Sequence, residues 1–202
     1  MKIGIDFDNT IICYDEVFKK ISHEQKIFPI NLKKKEEIKK YIIKKFSEKF
    51  WTFLQSLIYG EEIEFAKPFS NAKKTLSKLK KKHDLFLVSH KSKFPYLGKR
   101  INLIERANRW LVKNEFTKCK NSIFLSENIF FEKSIKKKIE RIKKINCDIF
   151  IDDLKPLLDS LPSTVLKIYF SQNSKAYKKN TKQPHDIFSN WNSLENIIKK
   201  YE

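Results

Sequence analysis

Short apolar runs alternate along this chain with segments whose apolar residues recur at helical intervals, and that alternation constrains the fold more than any other feature. The runs are KIGIDF (2–7), DLFLVS (84–89), NSIFLS (121–126), CDIFID (147–152) and TVLKIYF (164–170). Between them, Ala72, Leu76 and Leu79 share one helical face, Ile101, Ile104, Ala107 and Leu111 a second, and Ile135, Ile139, Ile142 and Ile145 a third. Strands that are apolar throughout, separated by helices, are those of a parallel sheet covered on both faces. The sequence therefore predicts an α/β chain with a doubly wound, Rossmann-like parallel sheet. With the first strand central, the second and third fall on one side and the fourth and fifth on the other. The strand order is then 5-4-1-2-3, and strands one and four flank the switch point where such sheets bind ligands.

One interval breaks the rhythm. From Cys13 to Glu64 the pattern is helical with no strand, and Ile38, Ile42, Phe46, Phe50, Phe53 and Leu57 read as one amphipathic helix, with Pro29 and Gly60 as breaks at its edges. A strand-to-strand crossover needs far fewer residues. The expected organisation is a core domain of residues 1–12 and 65–202 with a small helical cap, residues 13–64, inserted after the first strand.

Composition narrows the partners. The formal charge of +19 is consistent with a nucleic-acid or anionic-membrane partner. The positive charge is nearly all lysine, however, in a chain also heavy in Ile, Asn and Phe, and a genome rich in adenine and thymine yields that composition without any partner. The Lys-rich runs at 33–35, 78–82 and 136–138 sit on helical patterns, as solvated faces do. No run of about 18 apolar residues and no secretory signal pattern occurs, so the expected compartment is the cytoplasm, with no membrane partner. Cys13, Cys119 and Cys147 lack zinc-site spacing and read as free thiols. His23, His83, His90 and His185 share no spacing, and none is assigned a catalytic role.

The chemistry is concentrated at strand ends. DFDNT (6–10) follows the first strand, and carboxylates at i and i+2 reach one site once the backbone turns. Ser89 ends the second strand, Asp152 and Asp153 end the fourth, and Lys138 lies on the helix preceding it, with Lys136 and Lys137 as alternatives for the same position. This ordered set resembles the four motifs of the haloacid dehalogenase (HAD) superfamily, and the resemblance runs from Lys2 to Phe170. HKSKFPYLG (90–98) also resembles a subgroup of small HAD hydrolases.

The resemblance implies a hydrolase in which Asp6 attacks phosphorus, Asp8 is general acid and base, Ser89 donates to a phosphoryl oxygen and Lys138 balances charge. Superfamily dehalogenases usually lack the second aspartate, so Asp8 favours phosphoryl transfer. Carboxylates crowded at the switch point hold their charges beside a cation, and oxygen ligands suit Mg²⁺. Asp6, the Asp8 carbonyl and Asp152, with Asp153 nearby, are the expected metal contacts. Thr10, His90, Lys91 and Arg100 are assigned to substrate binding. The expected activity is a magnesium-dependent phosphatase acting on a small phosphate monoester, a sugar phosphate or a nucleotide. A nucleic-acid end phosphatase and a non-catalytic binding module on the same fold are the alternatives. The sequence leaves the oligomeric state open.

Overall fold

The runs that become strands are rich in Ile, Leu, Val and Phe, which pack well on a pleated surface. The computed structural model describes residues 1–32, 35–171 and 186–202. In chain order the strands are β1 (Lys2–Ile5), β2 (Ile12–Cys13), β3 (Lys67–Pro68), β4 (Asp84–His90), β5 (Ile129–Glu132), β6 (Ile149–Asp152), β7 (Leu166–Phe170) and β8 (Asp186–Phe188). The helices are α1 (Asp15–Gln25), α2 (Lys35–Lys45), α3 (Glu48–Ser56), α4 (Ala72–Leu79), α5 (Leu103–Lys113), α6 (Ile135–Ile145), α7 (Lys155–Asp159) and α8 (Trp191–Ile198). Among the described residues no helix is long and apolar enough to cross a membrane. His185 lies outside the described residues, as do Lys33 and Lys34 of the first lysine run.

Six strands form one parallel sheet in the order β5-β4-β1-β6-β7-β8, and β2 pairs separately with β3. The chain is thus an α/β, Rossmann-like protein with β1 central. Strands β7, β6, β1, β4 and β5 stand in the expected order, and β8 adds a sixth strand at the β7 edge, Phe170 standing opposite Phe188. The third strand is not where the sequence placed it. Residues 121–126 form no strand; the strand is Ile129–Glu132. In the earlier run the amides of Ile123 and Phe124 both donate to the Phe116 carbonyl, at 3.0 and 2.9 Å, which folds the chain into a turn. Ile123 and Phe124 are buried all the same, so their apolar character serves a packed loop.

The chain divides into two compact units, Met1–Ile12 with Pro68–Lys91 and Asn114–Glu202, and Cys13–Lys67 with Ser92–Lys113. The first contains the sheet. One core cluster there joins Val88, Ile142, Cys147, Phe150, Leu157, Leu158, Leu161 and Val165. At the far edge Phe170, Phe188 and Trp191 pack ring to ring, and the Trp191 carbonyl accepts from Thr75 Oγ1 at 3.0 Å. The carboxy-terminal helix therefore closes the core.

The second unit is helical. The single long helix read from Ile38 to Leu57 is two helices, because Ser47 adopts an extended φ of −174° and its side chain accepts from the Phe50 amide at 3.0 Å. That cap starts a new helix and resets its phase. Ile38 and Ile42 are buried on α2, whereas α3 buries Trp51 and Leu54 and leaves Phe53 exposed. Segment Ser92–Lys113, assigned from sequence to the core, belongs to this unit. Trp110 Nε1 donates to the Ala66 carbonyl at 2.8 Å, and Lys99 pairs with Glu61 at 2.6 Å. An amphipathic pattern such as that of α5 shows that a face is buried but not what buries it.

Close packing across the sheet generates two expectations. Gly4 faces Phe150 in the β1–β6 ladder, and a Cβ on Gly4 would lie 2.5 Å from Phe150 Cδ2 and 3.0 Å from Cys147 Sγ. Gly4→Ala is expected to lower the unfolding free energy by about 1–3 kcal/mol, the usual cost of overpacking, read from the shift in urea midpoint. Burial pushes the Cys147 and Cys13 thiols up to about 12, while Cys119 is exposed. Brief iodoacetamide treatment of the native protein should therefore label Cys119, with Cys13 and Cys147 labelled only after unfolding. Native labelling of Cys147 would contradict this packing.

Candidate active site

The Asp6 amide donates to the Ile151 carbonyl at 2.9 Å, carrying the β1–β6 pairing one residue past the end of β1. The chain then turns sharply, and the Phe7 carbonyl accepts from the amides of Ile11 and Ile12 at 3.0 and 3.1 Å. Asn9 sits at φ 58°, in the left-handed region that Asn tolerates better than most residues. This turn returns Asp8 toward the sheet and buries Thr10 completely.

Three elements meet at Asp6. From β4, Ser89 Oγ donates to Asp6 Oδ1 at 2.8 Å; from α6, Lys138 Nζ lies 2.6 Å from the same oxygen and 2.6 Å from Asp152 Oδ2 at the end of β6. Thr10 Oγ1 stands 3.4 Å from Asp6 Oδ2, and the Leu154 amide donates to Asp152 Oδ1 at 2.8 Å. Asp6, Ser89, Lys138 and Asp152 are all buried. The strand ends belong to β1, β4 and β6, the neighbours at the switch point of the sheet.

The three adjacent lysines separate by helix phase. Ser134 caps α6 and accepts from the Lys137 amide. Lys138 then falls on the buried face with Ile142, one turn later, and its ammonium reaches the carboxylates. Lys136 and Lys137 are exposed, and Lys137 pairs with Glu140 on the surface.

Carboxylate oxygens of Asp6, Asp152 and Asp153 lie within 4.8 Å of one another. Burial disfavours the Lys138 ammonium, but the charges of Asp6 and Asp152 outweigh it and raise its pKa well above the usual lysine range. For Asp152 the balance runs the other way: burial, then the neighbouring Asp6 charge, pushes its carboxyl up to about 6 against the pull of Lys138 and the Leu154 amide. Asp6 and Asp152 share the one Lys138 ammonium, and Asp153 adds a third carboxylate beside them. A set of hard oxygen donors with excess negative charge fits a divalent cation of the Mg²⁺ type.

The Asp8 carboxylate is not part of that trio. It pairs with Lys91, whose side chain is 4% exposed, at 2.8 Å. Of the residues assigned to substrate, Thr10 and Lys91 thus contact the two aspartates of the first motif. His90, between buried Ser89 and Lys91, is exposed at the end of β4. Arg100 belongs to the second unit, exposed, with its guanidinium 4.5 Å from the centre of the Phe94 ring. The Lys91–Asp8 pair was missed from sequence, although the spacing of Ser89 and Lys91 copies that of Asp6 and Asp8.

The buried pairing predicts a stability effect. In the absence of divalent cations, Lys138→Ala should lower the unfolding free energy by about 3 kcal/mol, because it strips the counter-charge from two buried carboxylates. Lys137→Ala should change it by less than about 0.5 kcal/mol, as surface pairs do. Equal effects in urea titrations would place the wrong lysine in the site.

No protein-family model matches the sequence, and no curated protein matches it significantly. Solved structures do match. A haloacid dehalogenase-like hydrolase from Streptococcus pneumoniae aligns with a TM-score of 0.63 at 12% identity, covering 100% of this chain and 98% of that one. A HAD-hydrolase from Bacillus subtilis, described as bound to magnesium, gives 0.56 at 12% identity, over 98% and 97% of the two chains. A 2-haloacid dehalogenase from Pseudomonas syringae gives 0.51 at 12% identity, over 100% and 99%. With its central β1, its parallel sheet and this extent of alignment, the chain has the fold of the haloacid dehalogenase superfamily.

Proposed function

We propose that this chain is a magnesium-dependent phosphatase of that superfamily, hydrolysing a small phosphate monoester through an aspartyl-phosphate on Asp6. The observation that carries the reading is the division of labour among the carboxylates. Asp6, Asp152 and Asp153 gather as a trio of oxygen donors, while the Asp8 carboxylate, two residues from the nucleophile, is held elsewhere. Displacing a halide from carbon gives no reason to assemble such a trio around the nucleophile or to keep a second aspartate beside it. Bringing an anionic phosphate onto an anionic aspartate requires compensating positive charge, and expelling an alkoxide requires a proton.

Mg²⁺ held by Asp6, Asp152 and the Asp8 carbonyl, with Asp153 beside them, would supply the positive charge that lets the two anions meet. In the first step an Asp6 carboxylate oxygen bonds to phosphorus as the ester P–O bond breaks, and the departing oxygen takes its proton from Asp8. In the second, Asp8 removes a proton from water, the resulting hydroxide bonds to phosphorus, and the P–O bond to Asp6 breaks, releasing phosphate and restoring the carboxylate. Ser89 and Lys138, both on Asp6 Oδ1, orient the nucleophile and offset charge accumulating beside it.

Substrate selection is assigned to the second unit, because the chain passes into it after Ile12, two residues beyond Thr10, and again directly after Lys91. A sugar phosphate is favoured over a nucleotide, with a phosphorylated nucleic-acid end as the alternative suggested by the +19 charge. Dehalogenation is the second reading, from the likeness to the Pseudomonas syringae protein.

Phosphate release should require Mg²⁺ and stop on chelation. Asp6→Asn should abolish both turnover and acid-trapped phosphoenzyme, whereas Asp8→Asn should lower alkyl phosphate turnover about 10²–10⁴-fold yet still form phosphoenzyme from p-nitrophenyl phosphate. A panel of sugar phosphates, nucleoside monophosphates, phosphorylated oligonucleotides and 2-chloropropionate decides the class. Chloride release without phosphate release would replace the reading. Preference for the oligonucleotide with a steep fall in salt would move the substrate to nucleic acid.

A further inference from the structure

Each aspartate of the Asp6–Asp8 pair meets its own lysine, and the chemistry above uses only the first of these pairings. Lys91 Nζ lies 2.8 Å from Asp8 Oδ2 and 3.1 Å from Asp8 Oδ1, so the ammonium spans both carboxylate oxygens. Two features fix where it stands. The Lys91 amide donates to the Glu132 carbonyl at 2.8 Å, which carries the β4–β5 pairing one residue beyond His90. The ammonium also sits 5.6 Å from the centre of the Phe7 ring, which is fully buried and meets Phe131 edge-on at 5.7 Å.

Strand geometry explains the pairing. Side chains two residues apart on an extended strand share a face. Ser89 and Lys91 leave β4 at that spacing, Asp6 stands one residue past β1, and the turn that follows brings Asp8 beside Lys91. The hydroxyl meets the first carboxylate and the ammonium meets the second. A carboxylate this close to a cation site can be drawn in as an additional ligand. An ammonium across both its oxygens removes that option, and burying the ion pair is tolerable only because the partners are fixed in place.

We propose that Lys91, assigned from sequence to substrate contact, is instead a positioning residue. It holds the Asp8 carboxylate apart from Asp6, Asp152 and Asp153, in the orientation from which Asp8 exchanges protons with the leaving oxygen and then with water. The proposal rests on the phosphatase reading above and adds to it that Lys91 acts on turnover through Asp8.

A double-mutant cycle at saturating Mg²⁺ tests it, using Lys91→Met, Asp8→Asn and the double variant, with Lys91→Arg as the conservative replacement. Lys91→Met is expected to lower kcat for an alkyl phosphate by about 10²-fold with KM changed less than about threefold. With p-nitrophenyl phosphate it should accumulate acid-stable phosphoenzyme, because that leaving group needs no proton while the water step still needs Asp8. Lys91→Arg should recover most of the loss, and Lys91→Met should add less than about threefold to Asp8→Asn. If Lys91→Met does not fold, Lys91→Gln in the Asp8→Asn background, where no unpaired anion remains, should likewise change nothing further. A KM raised about tenfold with kcat retained would make Lys91 a substrate contact. Additive losses in the cycle would show that it acts independently of Asp8; either result overturns the proposal and leaves the phosphatase reading standing. A wild-type protein that releases no phosphate from any monoester removes both.

Discussion

The site depends on one buried ammonium. Lys138 Nζ sits 2.6 Å from Asp6 and 2.6 Å from Asp152, and in doing so ties the end of β1 to the end of β6 through α6. Removing three charged groups from water costs several kcal/mol for each, and the attraction at this separation returns a comparable amount. Such an arrangement contributes little net stability when complete, yet is costly to break. Its effect is on geometry: two acidic strand ends that would repel one another are held at a fixed separation.

The same charge balance links the interior to the chemistry. Asp152 remains hard to ionise even beside Lys138, because burial and the Asp6 charge together exceed what one ammonium supplies. The deficit is local, in a chain whose net charge is strongly positive. Under the proposed phosphatase reading, a basic surface around an acidic centre would attract phosphorylated substrates from a distance, while the acidic residues would hold the cation. Lysine therefore has two roles here. The many exposed lysines contribute a field, and the buried pair, Lys91 and Lys138, contribute position.

The helical unit shows how a local signal redirects a pattern. Apolar residues from Ile38 to Leu57 are spaced for one helix, but the Ser47 side chain accepts the Phe50 amide and begins a second. After that reset the buried positions are Trp51 and Leu54, and Trp51 stacks against Phe18 of α1 with ring centres 6.5 Å apart. A serine within a helical run carries a capping signal of its own, and here it prevails over the periodicity of the apolar residues.

The sequence by itself determined the parallel sheet, the central first strand and the carboxylates at the strand ends, because each rests on a local pattern: an apolar run, a helical repeat, an acidic pair where a strand stops. Ser89 and the Asp6–Asp8 spacing were legible for the same reason. Tertiary structure decided what depends on contacts distant along the chain. Helix phase, set by the Ser134 cap, chose Lys138 from three neighbours. The turn after Asp6, beside the extended end of β4, gave Lys91 to Asp8. Pairing with β4 made Ile129–Glu132 the third strand although 121–126 is also apolar, and β8 joined the edge because β7 offered unpaired backbone groups there. The placement of Ser92–Lys113 with the helical unit followed from Trp110 and Ala66, which lie 44 positions apart. An apolar or charged residue declares that it will be buried or paired; which partner it finds is settled only when the whole chain is packed.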